Sequence, residues 1–470
     1  MMIYLGVLFI YFVMLIAIGY ISSKSIKNSD DWAVAGRSLG TLPTAAGYFT
    51  TVLSAVSFIG YMGYYYKFGW AGWWNWAGTL IFTFLLALFF AAKLREFGGV
   101  TLSDFLEERY GKVHGGLAAI LILFSTIVFT MAQLVASASI IKTITGINEQ
   151  WSITIIGGVF LLYTVIGGMV SVAWTSVLTT VIILLGTYAL MFSVLDATGG
   201  VVSLHQTLHS IDVSLLDPFA NGSISIGLAI SWCVTWGIGN FGLPQLITRF
   251  ISCKDKKVAR MSQGVSGILF ILFYLPLMLI GLGMRVLEPG ITNVDSVASI
   301  AMVKMVNPYV GGLVLSAILG AAISTAASVL LQAGTVATRD IYQKFINPNA
   351  SSDLVLKIAK ITTFIVGIIT IIFSFFNSST VLMIQAHMVG VLGSMLSMTI
   401  IIGFTSKRSN AAGGLAGMIV GLLTAVVWYI LGQPFGWMPI LPAIVTSAVA
   451  NLVVSYMTPP PSEKVLARFF

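Results

Sequence analysis

Two apolar stretches of the chain carry hydroxyl, glycine and proline residues that a plain membrane helix would not need. Residues 47–63 hold threonines and serines among glycines, and residues 236–245 hold three glycines and a proline. Glycine and proline weaken a helix, and a break inside a membrane frees backbone carbonyls that must line a cavity. Carbonyl and hydroxyl oxygens bind hard cations without any carboxylate. The two stretches therefore predict broken helices around a binding site.

Close helix packing is the alternative role for these small residues, because serine and glycine let membrane helices approach each other. In the second of the two stretches, Trp236 precedes Asn240 and Gln245 by a few residues. An aromatic ring beside two amides favours a binding pocket there. For residues 47–63 both roles stay open.

Acidic residues are missing from the interior of the apolar stretches. All 16 aspartates and glutamates fall in predicted loops or at predicted helix ends. A proton relay built on carboxylates would need one inside a helix, and a hydrolase would need paired carboxylates or a catalytic triad. The sequence therefore predicts that the protein is not an enzyme.

One titratable residue, His387, is predicted to lie deep in a helix. Either it forms a hydrogen bond between helices, or it takes part in a pocket or in a proton-linked step. Cys233 and Cys253 have neither the spacing of a zinc site nor that of a redox pair. Both cysteines are therefore predicted to be packing residues.

The elements that must position these residues are predicted to be membrane helices. Of 470 residues, 57% are hydrophobic and 9% are charged, whereas roughly a quarter of the residues of a soluble domain are charged. A helix needs roughly 20 apolar residues to cross a bilayer, and about thirteen stretches qualify. They are residues 3–22, 41–64, 70–92, 116–145, 150–169, 174–195, 223–248, 262–284, 308–338, 357–376, 379–404, 411–431 and 436–457.

The positions of lysine and arginine predict the orientation of these helices. With thirteen spans and the N-terminus outside, the outer side keeps only Lys67, Lys142, Arg285 and Lys304 of the 24 basic residues. Basic loops resist translocation, so this asymmetry favours an N-terminus outside and a C-terminus inside. It also accounts for the net charge of +8 without a nucleic-acid partner.

The chain is predicted to form one transmembrane transport domain over residues 1–470. Residues 3–22 lack the basic leader and the cleavage motif of a signal peptide, so they are expected to remain as an extra N-terminal helix. The two broken spans lie five spans apart, which predicts a 5+5 inverted repeat of residues 41–195 and 223–404. Residues 411–457 would add two C-terminal helices.

Several stretches make the chain similar to a known family. They are residues 35–40, 92–95 with 100–107, 236–249, and 321–325 with 339–342. The chain resembles the sodium:solute symporter family along nearly its whole length, and it is closest to the bacterial proline and pantothenate branches. The resemblance implies an all-α polytopic membrane protein of the leucine-transporter-type fold, with one helix before the 5+5 core and two after it.

The resemblance also implies a sodium site between the second and the ninth span. Its ligands would be the backbone carbonyls of Thr50, Leu53 and Ala321 and the hydroxyls of Ser324 and Thr325. Residue 321 lies one helical turn before residues 324 and 325, so these three oxygens are able to converge. Sodium is therefore the expected coupling ion.

For the solute, the resemblance points to the second, seventh and eleventh spans. The residues are Ser54, Ser57, Trp236, Asn240, Pro244 and Gln385. The N-termini of half-helices would then receive a carboxylate without the help of a buried arginine. A site of this kind suits a neutral or zwitterionic solute, or a small carboxylate.

Two departures from the family pattern concern acidic residues. Many members carry an acid after a Trp-Thr pair in the sixth span, where this chain has Ser176. The proline branch carries another acid at the position of Val52. The resemblance therefore implies one sodium ion for each solute.

Residues and resemblance together predict a sodium-coupled secondary symporter that imports a small organic solute by alternating access. The solute would be an amino acid such as proline, or pantothenate, or a short carboxylate. The protein is expected among the lipids of the bacterial cytoplasmic membrane as a monomeric transport unit. A proton-coupled permease that uses His387 is the nearest alternative, and a channel and a transporter-like sensor are further ones.

Overall fold

The structure is a computed structural model that describes residues 2–376 and 389–470. Within these ranges the chain is helical, and the only strand-like contact is an isolated bridge between Leu39 and Cys253. The helices are α1 Met2–Ser23, α2 Ser29–Val34, α3 Thr41–Val52, α4 Ala55–Phe68, α5 Trp74–Leu85, α6 Ala91–Phe97, α7 Leu102–Tyr110, α8 Lys112–Thr145, α9 Glu149–Ala197, α10 Gly200–Ile211, α11 Ile226–Trp236, α12 Pro244–Ile251, α13 Lys256–Leu287, α14 Val297–Lys304, α15 Pro308–Thr335, α16 Ser352–Ser374, α17 Val389–Thr405, α18 Ala411–Ile430, α19 Ile440–Met457 and α20 Glu463–Phe469.

Nine helices of the described ranges are long and apolar enough to cross a membrane, or ten if the bent pair α11 and α12 forms one span. The long helix α9 covers two predicted spans, 150–169 and 174–195. It is kinked near the end of the first of them at Gly168, which leaves helical geometry at φ 53° and ψ −155°. The predicted span 379–404 is described only from residue 389. The protein is thus a helical multi-pass membrane protein, and the count of thirteen spans stays a prediction.

The predicted break in the second span is present between α3 and α4. Leu53 (φ −73°, ψ 127°) and Ser54 (φ −127°, ψ 169°) are both extended. The Ser54 hydroxyl accepts a hydrogen bond from the Ser57 N–H at 3.1 Å, and so caps the first turn of α4. A serine cap stabilises a helix start by about 1 kcal/mol, which favours a new helix at this point over a continuous one.

The predicted break in the seventh span is present between α11 and α12. Gly237 has φ −93° and ψ −90°, and a 3₁₀ turn over Ile238–Gly242 follows it. Pro244 is the first residue of α12, where its missing N–H costs no hydrogen bond. The two segments are bent by 56° relative to each other. Both breaks thus confirm the interpretation of glycine, serine and proline as helix-breaking signals.

Helix α15 runs through the centre of the protein and carries part of the candidate site. Of its most apolar 18-residue window, 94% is buried, the highest share among the long helices of the described ranges. Small residues allow this burial, because a side chain at Gly320 would collide with the hydroxyl of Tyr11 and the methyl group of Thr179. Ser324 and Thr325 follow directly in the same tightly packed segment, with at most 2% of their surface exposed.

Asp340 corrects the expectation that the acidic residues lie in loops or at helix ends. Beyond Thr335 the helix continues as a π-helical segment, Val336–Ile346, in which only 2% of Asp340 is exposed. Thr101 donates a hydrogen bond to its carboxylate at 3.0 Å, and the Lys344 ammonium is 3.3 Å away. A buried carboxylate is tolerated here because it is paired and hydrogen-bonded.

Candidate functional site

A cluster of oxygens lies where the break after α3 meets α15. The Thr325 hydroxyl is 2.9 Å from the carbonyl oxygens of Leu53 and Ala321, and 3.1 Å from that of Thr50. The Thr51 carbonyl oxygen lies at 3.4 Å. A hydroxyl has a single proton to donate, so these carbonyls cannot all receive it. The cluster therefore contains more acceptors than donors.

The carbonyls of Thr50, Thr51 and Leu53 are free because α3 ends at this point. The last turn of a helix leaves its carbonyls without intrahelical partners. On the other side, Ala321 and Thr325 lie four residues apart on one face of α15, which brings their oxygens together. The two elements meet although their bonded residues, Thr50 and Thr325, are 275 positions apart in the chain.

Ser324 extends the cluster with hydroxyl groups. Its Oγ is 2.8 Å from Thr50 Oγ1 and 2.9 Å from Ser176 Oγ. Ser176 stands where the family resemblance implies an acid in many members, and in this chain it adds a neutral hydroxyl to the cluster. The structure brings together all five residues that the resemblance assigned to sodium, each with at most 2% exposed: Thr50, Leu53, Ala321, Ser324 and Thr325.

The chemistry of this cluster fits a singly charged hard cation. Its oxygens are carbonyls and hydroxyls, which such ions accept. Because the site is buried, protein oxygens would replace the hydration shell of the ion, as they do in membrane ion filters. A site for a transition metal is not found among residues 2–376 and 389–470, where no three His, Cys, Asp or Glu side chains are grouped for one.

Arg249 contradicts two expectations from the sequence, which placed it in an inner loop and foresaw no buried arginine. It lies in α12 with 0% of its surface exposed. Its Nη2 donates to Thr51 Oγ1 at 2.9 Å and to Ser328 Oγ at 2.5 Å. Ser328 in turn donates to the Ser324 carbonyl at 2.7 Å. A fixed positive charge therefore lies two hydrogen bonds away from the oxygen cluster.

A small cavity of about 10 Å³ lies between α4, α5 and the end of α11. Ser57, Asn75 and Trp236 line it, together with apolar and tyrosine side chains of α4. Two of the expected solute-binding residues, Ser57 and Trp236, are thus brought together here. A third, Ser54, is not part of the lining, but its hydroxyl caps the turn that contains Ser57.

The other expected solute-binding residues do not line this cavity. Asn240 Nδ2 donates a hydrogen bond to the Trp236 carbonyl oxygen at 2.6 Å, and so satisfies an acceptor at the end of α11. Pro244 begins α12. Gln385 and His387 lie outside the described residues.

A larger cavity of about 100 Å³ continues along α4. It is lined by residues of α4 and α8 and by the segment 293–299, and it shares Val56 and Gly60 with the smaller cavity. Asp295 is part of this lining, and burial raises the pKa of its carboxyl group. The two cavities thus border α4 close to the break after α3, and the larger one reaches the segment 293–299.

Two broken helices, a central helix and a buried cluster of neutral oxygens define a helical membrane transporter. The chain belongs to the sodium:solute symporter family, whose sequence model matches residues 32–421. The resemblance noted in the sequence is thereby confirmed. The family consists of transporters and not of enzymes.

Two curated relatives and one solved structure illustrate the similarity. The osmoregulated proline transporter OpuE of Bacillus subtilis (strain 168) is 26% identical over 97% of this chain and 94% of its own length. The sodium/pantothenate symporter of Escherichia coli (strain K12) is 28% identical over 90% of this chain and 89% of its own. The substrate-bound outward-open state of a Na+-coupled sialic acid symporter has a TM-score of 0.88 at 19% identity, covering 98% of this chain and 99% of that one. This likeness shows the fold, which is of the leucine-transporter type.

Proposed function

We propose that this chain is a sodium-coupled secondary symporter that carries a small organic solute into the cell by alternating access. One observation carries the proposal: the Thr325 hydroxyl lies among three carbonyl oxygens freed by the end of α3, those of Thr50, Thr51 and Leu53, which it cannot all satisfy. A cation is the natural partner for such a surplus of acceptors. Family membership supports the same function, and relatives named as proline and pantothenate transporters support a small organic solute.

In this proposal the ion and the solute bind on neighbouring parts of the broken second span. Sodium is held by the carbonyls of Thr50, Leu53 and Ala321 and by the hydroxyls of Ser324 and Thr325. The solute contacts Ser54, Ser57 and Trp236, with Asn240, Pro244 and Gln385 contributed from the seventh and eleventh spans. Each ligand raises the affinity for the other, because a coupling free energy is reciprocal.

The proposal includes the topology that the basic residues indicate, with thirteen spans, an outer N-terminus, an inner C-terminus and a 5+5 inverted repeat. Labelling of single cysteines by a membrane-impermeant reagent tests this orientation. Cysteine at Gly290 is expected to react from outside the cell, and cysteine at Lys407 only after permeabilisation. The reverse pattern would overturn the orientation.

Uptake into proteoliposomes tests the function. An inward sodium gradient is expected to accumulate radiolabelled proline or pantothenate above its outside concentration, because the gradient supplies the free energy for uphill movement. An equal potassium gradient is expected to give no accumulation. Parallel measurement of radioactive sodium is expected to give one ion for each solute molecule, since the cluster contains no carboxylate for a second ion.

Three other results would contradict the proposal. Accumulation driven by a proton gradient in sodium-free buffer would favour proton coupling. Rapid downhill flux without accumulation would favour a channel. Two sodium ions for each solute would show that a second ion site exists in spite of Ser176.

A further inference from the structure

An open cavity of about 940 Å³ lies between the segment 88–96, the first turns of α13 and the end of α17. Four of its lining side chains are basic and one is acidic, namely Lys93, Lys256, Lys257, Arg260 and Glu96. Glu96 forms an ion pair with Lys256 at 2.9 Å, and both side chains of the pair are more than half exposed. Such an exposed pair binds weakly. The cavity therefore keeps a surplus of positive charge.

Arg260 differs from the other arginines of the described chain. Each of the others donates a hydrogen bond to the protein or lies over an aromatic ring, as Arg468 does with Glu108 and Arg285 with Tyr66. Arg260 has no hydrogen bond, ion pair or ring contact within residues 2–376 and 389–470, and the same is true there of Lys257. Both side chains are exposed and are thus available to a ligand.

The position of these cations on α13 does not stabilise the helix. Lys256, Lys257 and Arg260 lie within its first five residues, where the helix dipole favours negative charge. Basic residues at this end of the bundle agree with the general excess of lysine and arginine in inner loops. That excess does not explain why two of them line one cavity without a protein partner. A bound anion would offset their mutual repulsion.

The apolar part of the cavity wall is formed by Leu88 and Phe89, in the π-helical turn after α5, and by Met261 on α13, each at least 50% exposed. The two helices pack directly against each other, because a side chain at Gly267 would collide with the Phe84 ring. Their exposed apolar faces continue away from the cavity at Ile81, Leu85, Ile268, Leu272 and Leu275. In a membrane such faces contact the acyl chains of lipids. On both helices the apolar face thus ends at the basic cavity.

We propose that this cavity binds the headgroup of an anionic phospholipid. The phosphate oxygens accept hydrogen bonds from Arg260, Lys257 and Lys93, and the acyl chains lie along the exposed apolar faces of α5 and α13. A guanidinium group binds phosphate through two parallel hydrogen bonds, and an ammonium group binds it as a point charge. Soluble phosphate would meet the same cations, but the adjoining apolar faces add contacts that only a lipid makes. The site is separate from the oxygen cluster and does not depend on the proposed symport.

Native mass spectrometry of the detergent-purified protein, titrated with dioleoyl phosphatidylglycerol or with dioleoyl phosphatidylcholine, tests the proposal. The unmodified protein is expected to bind one phosphatidylglycerol molecule more tightly than phosphatidylcholine, because only the former has a net negative charge. Lys257→Gln combined with Arg260→Gln is expected to weaken binding of that molecule by about 10-fold or more, since each cation contributes to the attraction. Equal affinity of the unmodified protein for the two lipids would overturn the proposal.

Lys357→Gln combined with Lys360→Gln is the matched control, because it removes the same charge from α16 at residues that do not line the cavity. Its affinity for phosphatidylglycerol is expected to equal that of the unmodified protein. An equal loss of affinity in the two double variants would show that only the overall charge matters, and no loss in either would show that the cations do not bind the lipid. Both results would overturn the site.

A further pair of measurements distinguishes a lipid from a soluble anion. Phe89→Ser removes an exposed apolar ring from the cavity wall and is expected to weaken phosphatidylglycerol binding, because buried apolar area is lost from the complex. Inorganic phosphate in large excess is expected to leave the bound lipid in place. Displacement of the lipid by inorganic phosphate, together with unchanged lipid affinity in Phe89→Ser, would assign the cations to a soluble phosphate and overturn the lipid site.

Discussion

At the scale of single residues, Ser176 determines the charge of the oxygen cluster. Its hydroxyl lies 2.9 Å from Ser324 Oγ, at a position where the family resemblance implies an acid in many members. The cluster thereby stays neutral, while the guanidinium of Arg249 lies close to it. Sodium must bind here without the attraction of a carboxylate, so its affinity depends on the geometry of the oxygens.

Introduction of a carboxylate is expected to strengthen sodium binding. In Ser176→Asp a negative charge would lie within a few ångströms of the ion, and an opposite charge at such a distance stabilises a charged species by about 1–3 kcal/mol. The sodium concentration for half-maximal uptake is expected to fall by about 10-fold. The sodium dependence of initial uptake rates measures this effect. Ser176→Asn, which has similar size and no charge, serves as control, and an equal fall in both variants would contradict the electrostatic explanation.

Residue types alone could not identify all members of the site. Ser324 and Thr325 were assigned through the family resemblance, whereas the buried Arg249 was missed. An amide or arginine in an apolar sequence can bond to a neighbouring helix, to the backbone or to a ligand. Which of these occurs depends on segments far away in the chain, such as Ser328 for Arg249.

Among the helices, the short α20 contacts α6, α7 and α17 at the end of the bundle where the basic residues accumulate. The Phe469 ring lies 5.5 Å from that of Phe105 on α7, 6.2 Å from that of Phe97 on α6 and 6.3 Å from that of Phe404 on α17. Arg468 adds an ion pair with Glu108 at 3.0 Å. Aromatic groups in such arrangements contribute both buried area and favourable ring contacts.

Removal of the Phe469 ring is expected to loosen this end of the protein. Because the ring is partly buried, Phe469→Ala should lower the free energy of unfolding by about 1–2 kcal/mol. The melting temperature of the detergent-purified protein measures the loss. Lys464→Ala, at an exposed position of the same helix, is expected to melt like the unmodified protein. Equal melting temperatures of the two variants would show that the aromatic contacts contribute nothing.

The elements differ in how far the sequence predicted them. Both helix breaks followed from local signals, namely the glycine and hydroxyl residues of 47–63 and the three glycines and Pro244 of 236–245. The burial of Asp340 did not follow from local signals. Lys344 lies on the same helical segment, but Thr101 precedes α7 and comes close to Asp340 only in the folded chain. Local chemistry therefore predicts where helices start and end, but not which polar groups become buried between them.

At the scale of the whole molecule, the oxygen cluster joins two distant parts of the chain. Thr50 comes from the break after α3, whereas Thr325 belongs to the central helix α15, 275 positions later. An ion bound between them would stabilise the contact between these two parts of the chain. It would do so only while the two parts are close together. A cation at this place could thus favour one arrangement of the bundle over another, which is the physical basis of coupling.

Equilibrium binding of radioactive sodium to the purified protein in the absence of solute tests whether the oxygen cluster holds the ion. Thr325→Ala removes the hydroxyl from the cluster, Thr325→Ser retains it, and Thr370→Ala removes a buried hydroxyl that bonds only within α16. The unmodified protein, Thr325→Ser and Thr370→Ala are expected to bind sodium saturably. Binding to Thr325→Ala is expected to be weaker by about 10-fold or more, since an ion contact is lost. Equal sodium binding by Thr325→Ala and Thr370→Ala would show that the Thr325 hydroxyl is not a sodium ligand.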